Sequence, residues 1–436
     1  MPEWIESVAT RFASYLTPRR IRAQAIVLAL CLWAVCAVDF ATPGLLDRAG
    51  NIKFQDFLPL YVSAQLVRQG RANDLYDPQL TAATIQSILQ STQSQPNKVQ
   101  PTQVHPNQAQ PTNVRLPNLY GPQVALFFLP LARFPFPVAA RLWVAISLLL
   151  FFACVYSIWK SCPTLRSHPK MVVLCTLAFP PLFHFVVRAQ LSALVLACFT
   201  VAFLAFRANR PWLAGAALGL LVFKPQFLLA IPLVLLLSRA WKPLVGLLVT
   251  ALAELAAALI YFGPAVMHAY FNTLWHLSRV LDAVELSLAP IQMHSLRSFW
   301  SLLISGPLTP WPQTALALYV LSSIVIVIIA ALVWKSSAPL ALRFSALTLA
   351  AVLANPHLFI YDLLVLGPVF LLLTDWTLTN PSSSALRVVL YLAFVLPLFG
   401  PLSRWPHLQL SVPAFTALLW LLWRLSSKPV PNPLSS

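Results

Sequence analysis

Residues 313–334 read QTALALYVLSSIVIVIIAALVW, a run with no charged residue, closed by Lys335. At about 1.5 Å per residue a helix of that length reaches about 33 Å, enough to cross a hydrocarbon core of about 30 Å. Outward from this stretch, apolar segments recur near 21–38, 138–159, 171–187, 190–206, 211–224, 226–238, 243–262, 339–354, 358–374, 386–400 and 409–424. They predict an all-α polytopic membrane protein, a bundle of about twelve transmembrane helices with short interfacial helices in two large loops.

Composition agrees. Of 436 residues 59% are hydrophobic and 9% are charged, against roughly 25% charged in soluble domains. Such a chain cannot cover a soluble surface with polar groups. The formal charge of +17, from 29 Lys and Arg against 12 Asp and Glu, would suggest nucleic acid in a soluble protein. No aromatic-and-basic module accompanies it, and the cations punctuate apolar segments. Topology and anionic headgroups explain them better, so no nucleic-acid partner is expected. The cysteines Cys31, Cys36, Cys154, Cys162, Cys175 and Cys198 form no CxxC and have no His at zinc spacing, so neither a disulfide framework nor a metal site is expected.

Arg19, Arg20 and Arg22 precede a run without a small-residue cleavage site, which reads as a retained first helix. Residues 1–20 form a cytoplasmic or interfacial segment, 21–428 a single transmembrane domain and 429–436 a cytoplasmic tail. With the N-terminus inside, sixteen Lys and Arg fall on cytoplasmic ends, eight in or just after the long first outer loop (the eighth, Arg141, begins the next segment), and five (Arg188, Lys224, Arg279, Arg297 and Arg404) at other outer positions. Long loops cross largely regardless of charge, so the asymmetry of the rest sets the orientation. The outer loops are 39–137 and 263–312. Within the first, 91–114 (STQSQPNKVQPTQVHPNQAQPTNV) has nothing to bury and reads as a disordered insertion.

Polar residues beside a membrane are costly unless paired or functional. Asp56, in Phe54-Gln55-Asp56-Phe57, is either a partly desolvated general base or the cap of the following helix. Gly70 to Pro78 (GRANDLYDP) is a turn by composition, and the apolar stretch 124–134 after Tyr120-Gly121-Pro122 is too short to span. Arg188-Ala189-Gln190-Leu191-Ser192 and Lys224-Pro225-Gln226 place donor-rich breaks at the outer boundary. Each cation there either binds phosphate or snorkels to headgroups. Met293-His294-Ser295-Leu296-Arg297 and Asn355-Pro356-His357 with Tyr361-Asp362 follow on the same side. Glu254 lies within an apolar segment and reads as a helix-packing hydrogen bond. No Walker loop, GxGxxG, GxSxG or HExxH occurs.

In order along the chain, Asp56-Phe57, Tyr61, Ala64, Gly70, Leu75-Tyr76-Asp77-Pro78, Tyr120-Gly121-Pro122, Ala189-Gln190-Leu191-Ser192, Lys224-Pro225-Gln226, Ser295-Leu296, Pro356-His357 and Tyr361-Asp362 resemble the motifs of glycosyltransferase family 87. These are polyprenol-phosphate-mannose-dependent α-mannosyltransferases of the GT-C superfamily. Ala189 stands where the family usually has Gly, and Met293-His294 where many members have Asn-Gln.

The resemblance implies a GT-C-type bundle in a bacterial-type cell membrane. It implies inverting, metal-independent transfer of a hexose, mannose by default, from a polyprenyl-phosphate sugar to a glycolipid or glycan acceptor at the outer face, without a cofactor. Asp56 would be the base. Lys224, Arg188, Gln190, Gln226 and Arg297 would bind the donor phosphate. Tyr61, Tyr76, Asp77, Tyr120, His294, Ser295, His357 and Asp362 would line the substrate loops. The rival classes are a transporter or lipid flippase, which favours repeat-related halves with a midplane site, and a non-catalytic scaffold.

Overall fold

A computed structural model describes residues 3–48, 50–93, 118–276, 289–305, 313–381 and 383–427. Most of the expected insertion, from residue 94 on, and the tail from 428 lie outside them, as do 277–288 and 306–312 of the second outer loop. Among the described residues there is no strand, only two isolated bridges, Leu46 with Ile52 and Met293 with Phe359.

The helices are α1 (Glu3–Tyr15), α2 (Pro18–Ala41), α3 (Leu58–Arg68), α4 (Pro78–Gln93), α5 (Gln123–Phe128), α6 (Phe136–Trp159), α7 (Pro169–Leu177), α8 (Pro180–Arg188), α9 (Ser192–Arg207), α10 (Pro211–Gly219), α11 (Ile231–Leu237), α12 (Trp241–Trp275), α13 (Ala289–Gln292), α14 (Leu296–Ser305), α15 (Gln313–Lys335), α16 (Leu340–Leu353), α17 (Gly367–Thr379), α18 (Ser384–Val395) and α19 (Ser411–Ser426). Short 3-10 turns join several of them.

Six described helical stretches are long and apolar enough to cross a membrane: Pro18–Ala41, Phe136–Trp159, Trp241–Trp275, Gln313–Lys335, Ile360–Thr379 and Ser384–Arg404. A seventh arises if α7 and α8, bent by 52°, count as one. The bend has a cause: Pro180 and Pro181 start α8, and Phe179 before them is held extended (φ −75°, ψ 111°). The other expected segments fold as five apolar helices of 10–17 residues. The expected twelve spans are therefore not present as twelve full-length helices. The shortfall is physical: α16 is buried at every position from Phe344 to Leu353, so protein rather than lipid surrounds it there. Residues 211–237 are broken in the middle, at Lys224 (φ −133°, ψ 70°).

Close backbone approach fixes α10 on α12. A Cβ added at Gly215 would lie 1.9 Å from the Pro243 carbonyl oxygen, one at Gly219 2.4 Å from that of Leu247, and one at Gly246 2.4 Å from that of Trp212. Small residues at such contacts are the usual adhesive where apolar packing has no water to expel. Farther along, α12 breaks at Gly263 (φ 79°, ψ 171°) followed by Pro264. The last turns, bent away by this break, run on into the 263–312 segment.

The long segment between α2 and α6 is built on an aromatic cluster. Phe57 lies 5.4 Å from Phe128, 6.1 Å from Phe136 and 6.3 Å from Trp143, ring centre to ring centre. Phe57 and Phe128 are fully buried. The short stretch α5 thus wedges its Val124, Ala125 and Phe128 face against α3, and this cluster seats the turn that carries Asp56.

Candidate active site

Phe54 adopts a left-handed conformation (φ 58°, ψ 31°), turning the chain sharply into the 3-10 turn Gln55–Phe57 that leads to α3. No side chain caps that turn or α3. Asp56 therefore does not take the helix-capping alternative. Its carboxylate is 17% exposed and accepts a 2.8 Å hydrogen bond at Oδ2 from Gln190 Nε2, while Arg188 Nη1 lies 3.9 Å from Oδ1. The same guanidinium donates to Gln55 Oε1 at 2.9 Å.

The partners come from the break between α8 and α9. Ala189 is left-handed (φ 54°, ψ 46°), and its carbonyl accepts a 3.0 Å bond from Trp143 Nε1. An alanine in this left-handed region carries a strain of roughly 1–2 kcal/mol that a glycine would not. Gln190 is buried, and its amide oxygen accepts from the Tyr120 hydroxyl (3.0 Å) and the Leu191 N–H (3.1 Å). With its oxygen so engaged, the amide nitrogen must face Asp56. Burial raises the Asp56 carboxyl above its ordinary value. Arg188, the Gln190 bond and Lys224 oppose the rise, and Asp362 adds to it.

Two residues on, Ser192 Oγ donates to Asp362 Oδ1 at 2.9 Å. The Lys224 ammonium, at the break in 211–237, donates to the same oxygen. It also lies 5.6 Å from the Tyr361 ring centre and 5.9 Å from that of Phe227. Lys224 and Asp362 are both almost fully buried. The chain thus joins residues 138 positions apart, and Lys224 is neutralised in place, leaving Arg188 as the accessible cation beside Asp56.

The remaining sequence candidates divide. Gln226, half-buried on the turn after Lys224, makes no side-chain hydrogen bond among the described residues. Tyr76 donates to the Tyr120 carbonyl (2.8 Å) and so supports Tyr120 from behind. Tyr61 donates to Phe134 O (2.7 Å), tying α3 to the segment after α5 and away from Asp56. Asp77 caps α4, accepting from Gln79 N (2.9 Å) and Leu80 N (3.1 Å). His294 is buried with Nδ1 2.8 Å from Ser411 Oγ, and Ser295 is buried beside it.

The His357 ring packs on Phe359 at 4.8 Å, within electrostatic reach of Lys224 and Arg297. Burial, chiefly, lowers both His294 and His357 to about 3. Both imidazoles are therefore neutral near pH 7 and supply no cation. Arg297 acts on His357 and Tyr319, and the charges that act on Asp56 are Arg188, Lys224 and Asp362. Among the described residues no three His, Cys, Asp or Glu side chains form a metal-ligand group.

One contact behind the site links Gln123, three residues after Tyr120, to Glu254 of α12: Gln123 Nε2 donates to Glu254 Oε1 at 2.9 Å. Glu254 is a helix-packing carboxylate, as its place in an apolar run suggests. Gln123 had no signal beyond following the Tyr-Gly-Pro turn.

A search of curated proteins and of solved structures finds no match. The family model of glycosyltransferase family 87 matches residues 118–360. That range holds Tyr120, Arg188, Gln190, Lys224, Arg297 and His357, while Asp56 and Asp362 lie outside it. It covers more than half of the chain, which carries membrane-length helices around a carboxylate, an amide and a cation. The chain belongs to glycosyltransferase family 87 and is a membrane glycosyltransferase.

Proposed function

We propose that the enzyme moves a hexose, mannose by family expectation, from a polyprenyl-phosphate donor to a hydroxyl of a glycolipid or glycan acceptor at the outer membrane face, inverting the anomeric carbon. The observation that carries this reading is the Asp56–Gln190–Arg188 arrangement. A carboxylate made more basic by burial is aimed by an amide and flanked at 3.9 Å by a half-exposed guanidinium. Asp56 takes the proton of the acceptor hydroxyl as that oxygen bonds to the anomeric carbon. The sugar–phosphate bond breaks, and its electron pair leaves on the phosphate oxygen. Arg188 meets the growing phosphate charge in a position fixed beforehand. The Lys224–Asp362 pair holds the wall behind. A single phosphate leaving group needs only fixed cations, so the reaction runs without metal or cofactor.

The surplus of cations on the expected cytoplasmic ends supports an outward-facing site with both termini inside. The test is transfer from radiolabelled polyprenyl-phosphate mannose to a crude membrane glycolipid pool by protein in lipid nanodiscs. Asp56→Asn should lower turnover by about 10²–10⁴ without loss of folded protein. Equal transfer by wild type and Asp56→Asn would remove Asp56 from the base role. Donor carried across the bilayer without label entering product would favour a transporter.

A further inference from the structure

Glu254 is a carboxylate within the span α12, where an ionisable group is costly unless it is paired or functional. The packing of α12 does not need it. Gly215, Gly219 and Gly246 already bring α10 and α12 together backbone to backbone. Among the described residues the hydrogen-bond partner of Glu254 is Gln123, whose Nε2 donates to its Oε1 at 2.9 Å. Gln123 reaches it by folding back over its own turn. A Cβ added at Gly121 would lie 2.3 Å from Gln123 Oε1 and 2.6 Å from Nε2, so the glycine leaves room for the amide. Gln123 Oε1 is buried there without a hydrogen bond among the described residues. The bond to Glu254 is what anchors this side chain.

The turn so anchored carries Tyr120, and every polar group of Tyr120 is engaged. Its N–H donates to Asn118 Oδ1 at 3.2 Å, its carbonyl accepts from Tyr76, and its hydroxyl donates to Gln190 Oε1 at 3.0 Å. Asn118 in turn donates to Ser63 Oγ of α3 at 3.0 Å. Helix α12 touches this assembly on both sides of its break at Gly263: Glu254 holds Gln123 before it, and the buried Tyr270 ring lies 5.7 Å from Tyr76 after it. A path of contacts therefore runs from Glu254 through Gln123 and Tyr120 to Gln190, whose amide meets Asp56. The Leu191 N–H also holds Gln190 Oε1, so losing Tyr120 loosens the amide without releasing it.

We infer that Glu254 is a positioning residue for the transfer step: through Gln123 it holds the 118–123 turn, so that Tyr120 keeps the Gln190 amide turned towards Asp56. The inference rests on the reading of Asp56 as the base. Glu254 touches neither substrate nor the reacting atoms, and its part is to fix where the turn sits.

The experiment is the transfer assay in nanodiscs, joined to hydrogen–deuterium exchange on the same full-length samples. Glu254→Leu suits an apolar helix, so it should fold, and it removes the acceptor for Gln123. Its kcat should fall about three- to tenfold, the worth of one hydrogen bond, with KM for the donor unchanged. Glu254→Gln keeps a carbonyl oxygen for the Gln123 amide and should restore kcat. In a Tyr120→Phe background Glu254→Leu should cost nothing further, because the path runs through that hydroxyl. Amide exchange over residues 118–128 should quicken in Glu254→Leu and not in Glu254→Gln, a readout that needs no acceptor substrate. A loss in Glu254→Gln as deep as in Glu254→Leu, full additivity with Tyr120→Phe, or kcat and exchange both unchanged in Glu254→Leu would overturn the positioning role alone. Asp56→Asn transferring as well as wild type would instead refute the base reading and take this inference with it.

Discussion

Replacing Gln190 with Met removes one amide from the centre of the site and tests whether Asp56 works as a base. Gln190 Nε2 donates to Asp56 Oδ2 at 2.8 Å, and this bond holds the Asp56 carboxyl lower than burial alone would. A hydrogen bond to a charged group is worth about 1.5–3 kcal/mol, and one pKa unit is about 1.4 kcal/mol. Complete loss therefore removes that stabilisation from the ionised form, so the carboxyl rises further. Asp56 keeps 17% exposure, so water recovers part of the loss.

Because the ionised form does the work, the acid limb of the pH–rate profile starts above the ordinary carboxyl value of about 3.9 in wild type. In Gln190→Met it should move further up, with a fall in plateau kcat from lost orientation. Tyr120→Phe removes only the bond on the far side of the amide; its limb should move far less. The assay is transfer in nanodiscs from pH 4 to 9, with protein folding checked at each end. A Gln190→Met limb that stays in place or moves down, while kcat falls, would refute the argument and leave Gln190 a structural residue.

Asp56→Asn should also change stability. Burial raises the folded-state carboxyl, so its contribution favours folding fully below the unfolded value of about 3.9 and is lost as pH rises through the folded value. Asn mimics the protonated group: the variant should melt at or above wild type at pH 7, with the gap closing at low pH. A lower melting temperature at pH 7 would contradict this. Lys224→Met strands the buried Asp362 carboxylate and should cost about 3–5 kcal/mol, read as lost monodisperse protein. Lys224→Met with Asp362→Asn should recover folding but not transfer, and a double variant no better than the single would refute the pairing argument. Gly215→Val puts a Cβ 1.9 Å from the Pro243 carbonyl oxygen and should abolish folded protein in detergent, whereas Gly70→Ala, with open space around it, should cost only about 1–2 kcal/mol of backbone strain.

The membrane class and the principal polar residues were legible because polar groups are scarce in this chain, so each stands out against an apolar background. Asp56, Arg188 and Gln190 are brought together as the ordered motifs suggested. The pairings were not legible. Lys224 with Asp362, and Gln123 with Glu254, join segments more than a hundred residues apart, and one sequence carries no sign of which distant partner a charge will find. Hydropathy alone marks twelve apolar segments but cannot tell a full-length span from a short helix sheathed in protein, such as α16. His294 and His357 carry the residue type of a cation or shuttle, but only their burial shows them neutral. Gly215-Ala-Ala-Leu-Gly219 did carry a readable signature, small residues at a four-residue interval, which periodicity of apolar residues passes over.

The Lys224–Asp362 pair also sets a timetable for biogenesis. Lys224 emerges from the ribosome 138 residues before its counter-ion, an interval of about 7–28 s at about 5–20 residues per second. Until Asp362 arrives, the ammonium has only water and lipid headgroups for company. The broken apolar segment from Pro211 to Leu237 therefore has to wait near the bilayer surface or behind a helper protein. The buried centre of the enzyme closes only when the chain has been translated beyond the 263–312 segment, so a product truncated before residue 362 should be recognised by quality-control proteases as an unfinished membrane protein.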